Sequence, residues 1–204
     1  MLISIEGIDG AGKTTQVNML SDFFRTKLNK MVYITKQPTN FYRSYDRFKS
    51  YIYGKIDTEN SKILYELALI AATDKLRHYE TEILHNESDI IISDRYIHST
   101  YAYFLARGIE ELVWLKEINK FLPMPQFTFY LDINIKEALS RIIKRDNTIT
   151  NEEKNLKTMS FVRDNFILQP WGISENYYII DGGGINNSPE KIHENIVQII
   201  LNNM

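Results

Sequence analysis

The chain has 204 residues, of which 44% are hydrophobic and 25% charged, and its formal net charge is −2. These values predict one soluble globular domain and give no basis for broad attraction to nucleic acid or to an anionic membrane. The absence of cysteine excludes disulfides, thiol catalysis and zinc bound by cysteine. We expect a cytoplasmic protein with no membrane span, and no signal peptide because a glycine-rich motif already begins at residue 7.

Short apolar runs alternate with longer amphipathic stretches along the chain. Five runs are typical of buried strands: Leu2–Ile5, Met31–Thr35, Ile90–Ser93, Phe127–Leu131 and Tyr177–Ile180. Six stretches have helical spacing: Val17–Leu28, Glu59–Asn86, Ile109–Lys120, Lys136–Lys144, Asn151–Leu168 and Pro189–Asn202. Buried strands separated by helices indicate parallel β-α-β units. The prediction is a three-layer α/β fold, with a central parallel sheet of about five strands, formed by residues 1–204 as a single domain.

The turn after the first predicted strand reads Gly-Ile-Asp-Gly-Ala-Gly-Lys-Thr over residues 7–14. This spacing matches G-x-x-x-x-G-K-[ST], a P-loop whose backbone N–H groups hold the phosphates of a nucleoside triphosphate. The following helix adds its free N–H groups and the positive end of its dipole. Lys13 would reach the β- and γ-phosphates, and the Thr14 hydroxyl would bind Mg²⁺. The predicted triphosphate-binding residues are Gly7, Gly10, Ala11, Gly12, Lys13, Thr14 and Thr15.

A second candidate motif, Asp94-Arg95, ends the third predicted strand. Asp94 is placed to hold Mg²⁺ or its water, and Arg95 offers a forked donor to a second phosphate group. A GTPase would also need a guanine-reading N-K-x-D motif. Neither Asn29–Val32 nor Asn119–Leu122, the two segments that begin Asn-Lys, ends in aspartate.

Three segments together resemble the thymidylate kinases, which are P-loop kinases of nucleoside monophosphates: "IEGIDGAGKTTQ", "DRYIHSTYAY" and "PQFTFYLDINIKEALSRIIKR". The second segment meets the family pattern D-R-Y-x-x-S-x-x-A-Y through Asp94, Arg95, Tyr96, Ser99, Ala102 and Tyr103. The resemblance implies phosphorylation of dTMP to dTDP with ATP as donor and Mg²⁺ as cofactor. It also implies a homodimer.

The resemblance assigns residues to each part of the site. Catalysis would use Lys13, Arg95, Arg145 and Asp9, and the metal would be held by Thr14 and Asp94. Arg141 would lie near the adenine of ATP. A helical lid over about residues 141–160 would supply arginine, because the P-loop has Ala11 where some members have arginine. The acceptor site would comprise Asp9, Lys36, Pro38, Phe41, Ala71, Lys75, Arg95, Ser99, Thr100 and Tyr103.

The acceptor residues depart from the family pattern at several positions. Lys36 and Lys75 stand where the family has arginine, and Ala71 stands where a phenylalanine stacks on thymine. Phe41 or Tyr42 would then close that side of the base. Two alternatives stay open: a kinase for dUMP or another pyrimidine monophosphate, and a nucleotide-binding interaction protein without turnover.

Overall fold

A parallel sheet of five strands forms the centre of the computed structural model, which describes residues 1–56, 62–145, 155–172, 176–184 and 187–204. The strands are β1 (Leu2–Glu6), β2 (Val32–Lys36), β3 (Ile90–Asp94), β4 (Phe127–Asp132) and β5 (Tyr177–Asp181). Their order across the sheet is β2-β3-β1-β4-β5. The predicted α/β class is therefore confirmed, and each strand begins within one residue of its predicted start.

Helices surround this sheet. They are α1 (Lys13–Lys27), α2 (Asn40–Ser44), α3 (Asp46–Ile52), α4 (Ile63–His78), α5 (Ile97–Arg107), α6 (Leu112–Glu117), α7 (Ile135–Arg145), α8 (Leu156–Leu168) and α9 (Pro189–Asn203). Local capping defines several ends: the Ser188 hydroxyl accepts a hydrogen bond from the Lys191 amide before α9, and Gly108 ends α5 at φ 109°. None of the helices in the described ranges is both long and apolar enough to cross a membrane.

The helix predictions were wrong in several places, and the short helices α2 and α3 were not predicted at all. Helix α5 was not predicted, because seven of its 11 side chains are buried and polar His98, Ser99 and Thr100 are among them, so that its sequence shows no separate polar face. The predicted helix 109–120 is shorter in the structure and spans only Leu112–Glu117. Helix α5 ends at Gly108 just before this segment. The predicted helix 59–86 ends at His78 and continues as one π-helical turn, Tyr79–Ile83. Residues 59–61 and 151–154 of the predicted helices lie outside the described residues.

The register of the sheet brings three loops to one edge. Ile5 of β1 and Lys36 of β2 both pair with Asp94 of β3. The chain therefore leaves all three strands at the same carboxyl edge, where ligands bind in open α/β sheets. The P-loop follows the central strand β1, so it is flanked by the segments that follow β3 and β4.

His98 is buried among aromatic rings on the inner side of α5. Its ring centroid lies 5.6 Å from that of Trp171 and 5.3 Å from that of Tyr177. Neither ring nitrogen has a hydrogen-bond partner within the described part of the chain. Burial lowers the pKa of His98 to about 4. The imidazole is therefore neutral in the folded protein at pH 7.

This burial predicts a loss of stability in mild acid. The unfolded histidine takes up a proton near its ordinary pKa of about 6.5, whereas the folded one does so only near 4. The free energy of unfolding therefore has its full value above pH 6.5 and decreases as the pH falls toward 4. The loss caused by His98 is about 2 kcal/mol at pH 4.5. Urea unfolding at pH 7 and pH 4.5 measures this loss of unfolding free energy. His98→Phe should reduce the pH dependence by this amount, and His85→Phe, at an exposed site, should not. Equal pH dependence in all three proteins would contradict the prediction.

Candidate active site

Glycines shape the P-loop where side chains have no room. Gly10 has φ 83°, and a Cβ atom on it would lie 2.4 Å from the backbone oxygen of Ala138 in α7. The loop therefore packs directly on α7. Gly12, at φ 90°, is the N-cap of α1, and Thr14 and Thr15 lie exposed in the first turn of that helix. The turn places free N–H groups at the start of α1, as phosphate binding requires.

Lys13 is the first residue of α1 and is buried against the loop. Its Nζ donates a hydrogen bond of 2.8 Å to the backbone oxygen of Ile8 and lies 4.0 Å from Oδ1 of Asp9. Burial, together with the nearby charge of Arg95, lowers the pKa of Lys13 to about 8. An anion bound in the loop would offset both effects, because its negative charge would favour the charged ammonium, as those of Asp9 and Asp94 already do.

Polar groups from three segments lie together at Asp94, the last residue of β3. The Thr14 hydroxyl donates to its Oδ2 at 2.8 Å, and Nζ of Lys36 lies 3.4 Å from the same oxygen. Oδ1 is buried and has no hydrogen-bond partner in the described ranges. Burial alone would raise the pKa of Asp94, but the charges of Lys13, Arg95 and Lys36 hold it below its ordinary value.

These groups fit a magnesium ion. Mg²⁺ binds through one or two carboxylates, phosphate oxygens and waters rather than through a complete protein cage. An ionised carboxylate with an unpartnered oxygen, next to a hydroxyl, provides that donor set beside the P-loop. Thr14 and Asp94 are the residues that could hold the ion.

Arg95 links the P-loop to α5. Its guanidinium donates hydrogen bonds to Oδ1 of Asp9 at 2.8 Å, to the hydroxyl of Tyr103 at 3.0 Å and to Oγ of Ser99 at 3.2 Å. Its backbone φ is 70°, a left-handed conformation unusual for a residue other than glycine. Burial alone would lower the pKa of Arg95, but Tyr103, Asp9 and Asp94 outweigh it and raise the pKa. The side chain is therefore a fixed cation that touches the P-loop.

Glu6, the last residue of β1, was missed by the sequence reasoning. It is fully buried and accepts hydrogen bonds from the backbone N–H of Tyr96 at 2.9 Å and from the Ser99 hydroxyl at 2.5 Å. Burial raises the pKa of Glu6. Through Ser99 it helps to hold Arg95 in place. The sequence did contain a signal for Glu6, because this charged residue ends an otherwise apolar strand immediately before the P-loop.

A cavity of about 160 Å³ opens beside Arg95. Eight of the ten predicted acceptor residues line it. Four of them follow β3 on the segment that becomes α5, namely Arg95, Ser99, Thr100 and Tyr103. The other four, Asp9, Pro38, Ala71 and Lys75, come from the P-loop, the loop after β2 and helix α4. Lys75 is buried, and its pKa is lowered by burial to about 8.

Lys36 and Phe41 are not among the residues that line this cavity. Lys36 faces Asp94 instead. Phe41 is 44% exposed, and the guanidinium of Arg77 lies 5.5 Å from its ring centroid. Tyr42, the alternative to Phe41, is buried and lines the cavity with its ring centroid 4.3 Å from that of Phe48. The predicted acceptor site did not include six further lining residues, namely Gln37, Arg43, Phe48, Tyr96, Phe104 and Arg107.

Helix α4 holds the loop after β2 in place. Asp74 accepts hydrogen bonds from both the backbone N–H and the hydroxyl of Thr39. The Gln37 amide donates to Nδ1 of His78 at 3.1 Å, and Nε2 of the same ring lies 2.7 Å from the Thr35 hydroxyl. Burial lowers the pKa of His78, so its ring is neutral at pH 7. The wall of the cavity is therefore fixed by a neutral histidine.

Arginines on α7 and α8 lie on the other side of the P-loop. Arg141 donates to Oε1 of Glu137 at 2.7 Å and to the backbone oxygens of Gly182 at 3.3 Å and Gly10 at 3.4 Å. Arg163, which lies just beyond the predicted lid, makes two hydrogen bonds of 2.7 Å to Asp132 at the end of β4. The side chain of Arg145 and lid residues 146–154 lie outside the described residues.

Comparisons with known proteins agree with this geometry. The family profile described as Thymidylate kinase matches residues 5–196. A probable thymidylate kinase of Pyrococcus horikoshii is 35% identical over 201 residues, which cover 97% of this chain and 94% of that protein. A probable thymidylate kinase 1 of Saccharolobus solfataricus is 34% identical over 203 residues, which cover 100% of this chain and 98% of that protein. The chain therefore belongs to the thymidylate kinase family.

Proposed function

We propose that the chain transfers the γ-phosphoryl group of ATP to the 5′-phosphate of dTMP, which yields ADP and dTDP. One observation carries the proposal. Arg95 lines the acceptor cavity and donates a 2.8 Å hydrogen bond to Asp9 of the P-loop. We infer from this contact that Arg95 lies between the triphosphate site and the acceptor site, beside the path of the transferred group.

In this mechanism an oxygen of the acceptor phosphate attacks the γ-phosphorus, and the bond from that phosphorus to the bridging oxygen of ADP breaks. Positioning and neutralisation of charge account for most of the catalysis in such reactions. Lys13 neutralises charge between the β- and γ-phosphates, and Arg95 orients the acceptor phosphate. Thr14 and Asp94 would hold Mg²⁺, which supplies charge neutralisation on the phosphate oxygens when it is bound.

The remaining site roles belong to the same proposal. Arg141 would lie beside the adenine of ATP, since it already bridges the P-loop and Gly182. Arg145 would act as the lid arginine over the transferred group, within a lid of about residues 141–160 in a single domain, 1–204. Phe41 would reach the acceptor only by moving from its exposed position, which makes Tyr42 the better candidate for the wall beside the base.

We also propose a homodimer in the cytoplasm. Leu69 and Leu76 lie seven residues apart on α4 and therefore on the same side of it, and they are 48% and 39% exposed. An interface on that side would cover both side chains. Sedimentation of the wild type and of Leu69→Lys measures the oligomeric state of each protein. A monomeric wild type would contradict the proposal.

A panel of acceptors tests the proposed reaction. Release of ADP is measured in a coupled assay with dTMP, dUMP, CMP and AMP at a fixed concentration of MgATP. We expect dTMP to be the best acceptor and dUMP to be used appreciably, because the thymine methyl group alone is worth only about 1–3 kcal/mol of discrimination. AMP as the better acceptor would reject the pyrimidine assignment. Tight MgATP binding with no release of ADP for any acceptor would indicate a nucleotide-binding protein without turnover.

Lys75→Ala tests whether Lys75 belongs to the acceptor site and not to the ATP site. Lys75 lines the acceptor cavity, and its ammonium is buried 3.4 Å from the backbone oxygen of Ala71. Loss of a buried charged donor should raise the KM for dTMP by about 10-fold or more, and leave the KM for ATP within about 2-fold. Lys120→Ala is the matched control, because Lys120 forms an exposed ion pair with Glu117 and otherwise lies over the exposed ring of Phe121. Equal changes in both KM values would remove Lys75 from the acceptor site.

A further inference from the structure

The last two residues of β1 bind the backbone of the segment that leads into α5. The Ile5 carbonyl oxygen accepts a hydrogen bond of 2.9 Å from the backbone N–H of Arg95, and Oε1 of Glu6 accepts one of 2.9 Å from the N–H of Tyr96. Between these two contacts Arg95 has φ 70°. A left-handed conformation is unfavourable for a residue other than glycine and persists only where the surrounding structure enforces it. Glu6 is therefore one of the groups that hold the backbone of Arg95.

The other carboxylate oxygen of Glu6 is linked to the side chain of Arg95. Oε2 accepts a hydrogen bond of 2.5 Å from the Ser99 hydroxyl, and Oγ of Ser99 accepts one of 3.2 Å from the Arg95 guanidinium. A hydroxyl has a single proton, so a Ser99 that donates to Glu6 presents only lone pairs to Arg95. The carboxylate of Glu6 therefore fixes both the backbone beside Arg95 and an acceptor of its guanidinium.

Glu6 itself lies behind the wall of the acceptor cavity. It is fully buried and is not among the residues that line the cavity. Three residues of the segment that it holds do line the cavity, namely Arg95, Tyr96 and Ser99. Glu6 also interacts electrostatically with Arg95 and Lys13. The carboxylate can therefore affect a bound acceptor only through the residues around it.

Both of these hydrogen bonds need an acceptor, which a carboxylate provides at each of its oxygens. An amide of the same shape accepts at one end and donates at the other. In Glu6→Gln the amide oxygen can still accept the Tyr96 N–H, but its NH₂ group then competes with Arg95 for the Ser99 oxygen. In the reverse orientation the NH₂ group faces the Tyr96 N–H, and both donors lose their partner. Either orientation weakens one of the two contacts that hold Arg95.

We propose that Glu6 is a positioning residue, whose carboxylate holds Arg95 in the orientation that binds the 5′-phosphate of the acceptor. The inference rests on the proposed function, since Arg95 orients the acceptor phosphate in that same reaction. In this role Glu6 contacts neither substrate. It determines how tightly the acceptor phosphate binds, and it has little effect on MgATP or on the nucleoside part of the acceptor.

Equilibrium binding of dTMP, thymidine and MgATP tests this role in the wild type, Glu6→Gln, Arg95→Met and the double variant. Glu6→Gln should weaken dTMP binding by about 10-fold when Arg95 is present. In the Arg95→Met background, where no guanidinium is left to position, the same substitution should weaken dTMP binding by less than about 2-fold. Binding of MgATP, and of thymidine, which lacks the phosphate, should change by less than about 3-fold in Glu6→Gln.

Ser4→Ala is the matched control, because Ser4 is a buried residue of the same strand whose hydroxyl donates to Thr128, and neither residue lines the cavity. It should change none of the three affinities. Thermal unfolding of each variant shows whether the fold is retained. If Glu6→Gln unfolds, Ser99→Ala breaks the same link from its other end, and its effect on dTMP binding should likewise disappear in the Arg95→Met background.

Three outcomes would overturn the inference alone. They are unchanged dTMP binding in Glu6→Gln, equal losses of dTMP and thymidine binding, and a loss of dTMP binding that persists in full without the Arg95 guanidinium. A merely structural role of Glu6 would produce the second and third of these. A wild type that binds MgATP but not dTMP would overturn the proposed function and the inference with it.

Discussion

Lys13→Met is expected to lower kcat by at least ~100-fold, because the transition state would lose its nearest fixed cation between the β- and γ-phosphates. Lys13 donates to the Ile8 backbone within the P-loop, and burial together with the charge of Arg95 lowers its pKa to about 8. Methionine has a similar length and fills the buried space without charge. The fold should therefore survive, and the KM for dTMP should change less than kcat.

Single-turnover transfer to dTMP with MgATP in excess measures this effect. Lys30→Met serves as the control, since Lys30 forms a partly exposed ion pair with Asp89 at 3.7 Å and lies far from the P-loop along the chain. It should retain wild-type turnover. If Lys13→Met kept more than about a tenth of wild-type turnover, Lys13 would not have the catalytic role assigned to it.

Arg95→Met is expected to have the second large effect, a fall of at least ~100-fold in kcat/KM for dTMP. The side chain makes three hydrogen bonds, to Asp9, Ser99 and Tyr103, and methionine can replace none of them. The variant would lose both the acceptor phosphate contact and a fixed charge beside the transferred group. Binding of MgATP alone should weaken far less, since the P-loop itself is unchanged.

Titration of MgATP and steady-state kinetics with dTMP separate these effects. Arg95→Lys keeps the charge and should recover part of the activity, but not all of it, because an ammonium lacks the planar forked geometry of the guanidinium. Arg25→Met controls for the removal of an arginine elsewhere, because Arg25 lies on α1 and donates to the backbone oxygen of Val32. An equal loss of MgATP binding and of acceptor turnover would place Arg95 in the triphosphate site alone.

Several parts of the site were predictable because their residues are contiguous in the chain. Residues 7–14 form the P-loop through local backbone geometry, and Gly10 and Gly12 adopt the positive φ values that glycine allows. Asp94 and Arg95 end a buried strand, and parallel strands must end at one edge of the sheet. The pairing of Asp94 with Ile5 follows from that rule, although the contact between Thr14 and Asp94 joins residues 80 positions apart.

The sequence by itself determined the α/β class, the P-loop and the strand-end motif, since each depends on local periodicity or on a contiguous motif. Only the tertiary structure decided which further side chains line the cavity. Arg43 and Phe104 reach the cavity from separate helices, and no spacing in the chain relates them. Helix α5 escaped prediction because polar residues are among its buried side chains, so that its sequence shows no separate polar face of the kind that marks a surface helix. Packing of distant segments therefore defines the cavity wall, whereas local backbone chemistry defines the phosphate loop.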